Sequence, residues 1–139
     1  FPKARFLHCH RNLKDSIVGI YQSLLPDVSW THSIENIIIY IDNYKKIMDY
    51  FKKKYPDKIF DISLEYLTNN KEEVSKNIFN FCNIKWNSNV LEFYKRHDLD
   101  IRTTSNIQIR NKINSYDTKK YSQYYNLFEN YKDKYNWLK

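Results

Sequence analysis

The sequence contains a single glycine, Gly19, in 139 residues. Phosphate-cradling loops of the GxxxxGK[ST] and GxGxxG kinds need several glycines, for positive φ and for close backbone approach. Neither loop can be built here. A nucleotide must therefore be held by side chains and a helix N-terminus, or by a loop from elsewhere. Cysteine is scarce too: Cys9 and Cys82 form no CxxC motif, which argues against a disulfide framework. No N-x-S/T sequon occurs, no signal-peptide core is present, and no run approaches the ~20 apolar residues that span a bilayer. Phe1 is not a natural start, so the chain is expected to be a fragment or a processed product.

What is present suits one soluble folded domain. Hydrophobic residues make up 42%, aromatics 17% and charged residues 28%, a balance that excludes intrinsic disorder. The net charge of +7 favours an anionic partner. The lysines are spread along the chain, however, and accompany many Asn, Ile and Tyr residues, the set encoded by AT-rich codons. A solvated surface therefore competes with a dedicated polyanion patch.

Periodicity orders the chain as strand, helix, helix, strand, helices, long polar loop, helix. Residues 5–10 read as a short internal parallel strand. Residues 13–24 read as a helix with Asn12 as N-cap and Ile17, Ile20, Tyr21 and Leu24 as its apolar stripe. Residues 33–55 form a long helix capped by Ser33 and stopped by Pro56, with Ile34, Ile37, Ile38, Ile41, Met48, Phe51 and Tyr55 in register. Residues 58–64 give a second strand. Residues 70–82 give a helix whose Asn70-Lys71-Glu72-Glu73 start resembles a capping box, with Val74, Ile78, Phe81 and Cys82 inward. A short helix covers 89–96, an extended loop 98–116, and a mainly helical, aromatic-rich segment 118–135. This is an α/β, helix-rich order. Two strands make a poor sheet alone, and the edges left open favour self-association.

Three places concentrate usable chemistry. Arg11 stands where a strand ends and a helix begins, the position at which open α/β sheets take ligands. There a guanidinium fork joins the helix N-terminus against a phosphate; the competing use of Arg11 is an ion pair with Asp15. The run Thr103 to Lys112 packs Ser105, Gln108, Arg110 and Lys112 into one loop able to wrap a phosphate and a ribose, and equally able to be a solvated loop. Lys120-Tyr121 sets a cation beside an aromatic. His8 and His10 fall on one face of the first strand, but no third ligand at suitable spacing supports a metal. Glu65, just after the second strand, serves as an acid–base group or, in the plainer reading, as an acceptor for loop amides or an arginine.

Taken in order, these segments resemble the sulfotransferase family, in particular its protein-tyrosine sulfotransferase-like and bacterial branches. Arg5 to Asp15 is similar to the family's strand followed by R-N-x-x-D. Trp30 to Phe51, with Tyr44 and Met48, is similar to its long helix. Ile62 to Leu67 matches V-x-Y-E-x-L, Phe79 to Trp86 matches L-x-F-C-G-L-x-W, and Arg102 to Arg110 matches V-x-T-x-S-x-x-Q-V-R. The resemblance implies the C-terminal portion of a P-loop-like sulfotransferase domain, occupying residues 1–139 as one partial domain. It implies an enzyme whose donor is 3'-phosphoadenylyl sulfate and whose acceptor is a hydroxyl or amine. It assigns Arg11 to the donor's 3'-phosphate, Ser105, Gln108 and Arg110, with Lys112 nearby, to a loop over the nucleotide, and Lys120 to a further nucleotide contact. No catalytic residue and no metal are assigned.

Two positions depart from the family pattern. Gly19 replaces a serine that is a second 3'-phosphate ligand, and Leu64 replaces the tyrosine of Y-E-x-L. The family's 5'-phosphosulfate loop and catalytic base precede the strand at Phe6, so this chain alone is not expected to turn over. The alternative is a non-catalytic basic module that binds nucleic acid or another polyanion.

Overall fold

The computed structural model describes residues 3–96, 98 and 109–139. Its elements are β1 (Phe6–His10), α1 (Leu13–Gln22), α2 (Ile34–Lys54), β2 (Ile59–Ser63), α3 (Leu64–Asn69) and α4 (Lys71–Phe81). Short 3₁₀ segments cover Ser29–His32, Ser88–Lys95, Ser122–Tyr131 and Asn136–Leu138. The chain is mixed α/β and helix-rich, with β1 and β2 paired in a small parallel sheet. It divides into two compact units: residues 1–9 with 60–116, and residues 10–59 with 117–139. They are called unit 1 and unit 2 below.

Unit 2 holds a continuous core. Side chains of α1 and α2 meet the aromatic C-terminal segment, and Ile17, Ile37, Ile38, Phe128 and Leu138 are all 0% exposed. Each such side chain contributes about 1.5–3 kcal/mol of transfer free energy. Ser33 caps α2 as expected, its Oγ accepting from Asn36 N. The apolar register of α2 is buried only in its first half: Ile37, Ile38 and Ile41 are in the core, whereas Phe51 and Tyr55 are exposed. The stripe expected on α1 also shifts. Ile17 and Val18 are buried, Tyr21 and Leu24 are exposed. The cause is local: α1 ends at Gln22, Ser23 caps it, and Leu24 turns the chain with a left-handed φ of 43°.

Two polar contacts tie the C-terminal segment to the helices of unit 2. Tyr125 Oη donates to Asp15 Oδ1 at 2.6 Å, satisfying a carboxylate that is 1% exposed. Trp137 Nε1 donates to Asp42 Oδ1 at 3.0 Å, and Lys46 Nζ lies 2.7 Å from Asp42 Oδ2. The segment expected as one helix over 118–135 is instead built of 3₁₀ turns. Its Tyr- and Asn-rich composition has low helix propensity, and no side chain caps the start of Ser122–Tyr131.

Unit 1 is shallower. Ile62 and Val74 are its buried hydrophobics among the described residues, with Thr68 the buried polar one. Thr68 Oγ1 accepts from Tyr116 N at 3.0 Å. β1 is not the buried strand its sequence suggested, since Phe6 and Leu7 are exposed. Only two strands pair among the described residues, so both edges of the sheet stay open. Asn70 does not form the expected capping box: its Nδ2 donates backward to Tyr66 O at 3.1 Å. At its other end α4 closes in a Schellman motif. Ile84 N donates to Phe79 O at 2.9 Å and Asn83 N to Asn80 O at 3.0 Å. Asn83 takes φ of 56° there. That is a left-handed position which glycine or asparagine fills most easily, and it coincides with the glycine of L-x-F-C-G-L-x-W.

Candidate functional site

Arg11 follows β1 directly and precedes the first turn of α1. Asn12 caps that helix, its Oδ1 accepting from Lys14 N at 2.8 Å and Asp15 N at 3.3 Å. Asn12 is thus the N-cap that the sequence suggests, and those two amides are not open to a ligand. The guanidinium is what remains. Arg11 Nε donates to Ser16 Oγ at 3.2 Å, and Nη2 lies 3.5 Å from Asp15 O. The half-buried Arg11 has no ion-pair partner among the described residues. The Asp15 carboxylate accepts from Tyr125 instead. Among the described residues, Nη1 meets no acceptor.

Gly19 sits directly beneath that guanidinium. A Cβ at this position would lie 2.5 Å from Arg11 Nη2 and 3.8 Å from Tyr121 Oη. Glycine at 19 thus makes room for Arg11 to lie flat along α1. The Tyr121 hydroxyl lies at van der Waals distance from the same position. Tyr121 is 9% exposed and belongs to the unit 2 core through its ring. Lys120 is exposed, with Nζ 5.0 Å from the centroid of the Tyr121 ring. Arg11, Gly19, Lys120 and Tyr121 all belong to unit 2. Lys120-Tyr121 is legible in the sequence as a cation beside an aromatic, whereas the nearness of the Tyr121 hydroxyl to Gly19 is not. The only signal was the pairing of a glycine, where a hydroxyl was expected, with a tyrosine adjacent to a lysine.

The remaining sequence candidates divide otherwise. Ser105 and Gln108 lie outside the described residues. Arg110 and Lys112 belong to unit 1. There Arg110 Nη1 donates to the Arg96 carbonyl, and Lys112 Nζ stands 5.6 Å from the Tyr94 ring centroid. Glu65 accepts from Ser63 Oγ at 2.7 Å, in line with the plainer of its two readings. His8 Nδ1 pairs with Asp61 Oδ1 across the two strands. Among the described residues no group of three or more His, Cys, Asp or Glu side chains is placed to hold a metal.

Residues 1–88 match the model of the sulfotransferase family. The chain belongs to the sulfotransferase family. The matched stretch carries β1, Arg11, α1, α2, β2 and α4, hence the guanidinium site and the Asn83 turn. The chain is also 28% identical over 128 residues to an uncharacterised protein of Aquifex aeolicus (strain VF5), an alignment that covers 89% of this chain. It spans about 17% of that relative's length. No helix among the described residues is long and apolar enough to cross a membrane.

Proposed function

We propose that this chain supplies the 3'-phosphate side of a 3'-phosphoadenylyl sulfate site, in a protein that transfers a sulfuryl group to a hydroxyl or amine acceptor. The observation that carries this reading is Arg11, a half-buried guanidinium without a carboxylate partner among the described residues. A half-buried cation without an internal counter-charge is stabilised by an external anion. Phosphate fits: Nη1 is left for a charge-assisted hydrogen bond, and Ser16 and the Asp15 carbonyl hold the fork in place. The Tyr121 hydroxyl beside Gly19 takes the role of the serine that the family carries there. Lys120 adds a second positive charge on the same unit. Ser105, Gln108, Arg110 and Lys112 complete the proposed set as the segment that wraps the nucleotide.

When bound, the donor supplies the activated sulfuryl group. The residues of this chain bind and orient its distal phosphate, which is positional and electrostatic work. Calorimetric titration tests the reading. Adenosine 3',5'-bisphosphate should bind more tightly than 5'-AMP, and Arg11→Ala should remove about tenfold to a hundredfold in affinity for the bisphosphate, the worth of a charge-assisted pair. Tyr121→Phe should cost less, about fivefold, as one neutral hydroxyl contact. Equal weak binding of both nucleotides, with strong salt-dependent binding of oligonucleotides, would instead favour the basic polyanion module.

A further inference from the structure

Unit 1 contains a cavity of about 380 Å3, within the range of about 300–1,000 Å3 typical of small-molecule pockets. Its walls are apolar: Leu67, Ile78, Phe79, Val90, Leu91 and Ile113 line it. They come from α3, α4, the 3₁₀ segment Ser88–Lys95 and the stretch after Lys112, all within unit 1. The polar groups on the lining are mostly engaged. Ser75 Oγ donates to Glu72 O at 2.8 Å and accepts from Trp86 Nε1 at 2.9 Å. Glu92 Oε1 is matched by Lys95 Nζ at 2.5 Å. Among the described residues, Lys71 and Lys112 have no carboxylate partner. Lys71 Nζ uses one of its three donors on the Ile113 carbonyl, and Lys112 Nζ stands over the Tyr94 ring.

We propose that this cavity binds an amphiphilic anion, with an aliphatic or aromatic body against the six apolar side chains and an anionic head at Lys71 and Lys112. An apolar slot with surplus positive charge on its lining selects against neutral and cationic amphiphiles of the same length, because a cationic head would be repelled there and would lose hydration without a partner. Lys112 also belongs to the nucleotide reading, so Lys71 is the discriminating position. The proposal stands or falls independently of donor binding at Arg11.

The test titrates the 139-residue chain with sodium decanoate and with decyltrimethylammonium bromide, following heat by calorimetry and side-chain methyls by NMR. Decanoate should bind saturably, with shifts concentrated at the Ile78, Leu91 and Ile113 methyls, and at least about tenfold more tightly than the cation. Lys71→Gln should erase most of that preference and Lys71→Arg should keep it. Equal affinity for the two probes would overturn the proposal, as would shifts centred on the exposed Ile47 of α2, or a Lys71→Gln chain that binds decanoate unchanged. Should Lys71→Gln fail to fold, the comparison of the two probes on the unaltered chain decides.

Discussion

The two units solve the same folding problem to different depths. Unit 2 gathers nine buried hydrophobic residues into one cluster and spends its polar contacts on pinning aromatic side chains to Asp15 and Asp42. Unit 1, among its described residues, buries Ile62 and Val74, leaves sheet edges open, and carries a cavity open to solvent. Rigidity and vacancy are thus separated. The guanidinium site rests on the packed unit, where a side chain is held in place by its neighbours. The cavity sits in the unit with fewer buried hydrophobic residues among those described.

The largest expected effect tests that contrast directly. Phe128→Ala removes a ring that is 0% exposed and should destabilise the chain by about 3–5 kcal/mol. Val74→Ala in unit 1 should cost about 2 kcal/mol or less. Urea denaturation of both variants decides it, and equal losses would remove the distinction. Amide hydrogen exchange sharpens it: protection in α4 should fall short of that in α1 and the first half of α2 by an amount that Phe128→Ala narrows. Gly19→Ala should separate stability from binding. Alanine in the middle of α1 favours the helix by about 0.8–1 kcal/mol, while its Cβ meets Arg11 Nη2 and displaces the guanidinium. The melting temperature should hold or rise as affinity for adenosine 3',5'-bisphosphate drops severalfold. The reverse pattern would mean that Arg11 does not need its place along α1.

The smallest effect concerns acid. A hydrogen bond from Lys46, opposed by partial burial and assisted by Trp137 and the charges of Lys46 and Lys45, holds the Asp42 carboxyl below the ordinary carboxylate range. A depressed carboxyl contributes stability above its unfolded pKa, near ~3.9, and loses it as pH falls through the folded value. Asp42→Asn should therefore lower stability at neutral pH by no more than about 1 kcal/mol. The difference from the unaltered chain should shrink below about pH 4. Thermal melts at pH 7 and pH 3 read this. A constant gap would place the contribution in the Trp137 bond instead of in the charge.

Where local chemistry was decisive, the sequence could be read. Ser33 and Pro56 bracket α2 to within a residue, because a hydroxyl cap and a missing amide act without tertiary help. The resemblance to sulfotransferases rested on short motifs, and the family match over residues 1–88 bears it out. Reading failed where packing decides. Periodicity could not show that the second half of α2 faces solvent, nor that Leu24 leaves the helix register. The aromatic tail looked helical by pattern, but its Tyr and Asn residues are weak helix formers and the packed segment is built of 3₁₀ turns. At the candidate site Arg11 was legible as a strand-end arginine. The part of Tyr121 was not, because it depends on a distance between residues about a hundred positions apart.

Unit 2 is discontinuous: residues 10–59 are made first, and residues 117–139 follow only after the whole stretch 60–116. At about 5–20 residues per second that interval lasts roughly 3–12 s on the ribosome. Throughout it the Ile37, Ile38 and Ile41 face of α2 is synthesised but lacks Phe128 and Leu138 to cover it. The nascent chain thus carries a waiting hydrophobic surface for seconds, exposed to wrong partners until Phe128 and Leu138 emerge.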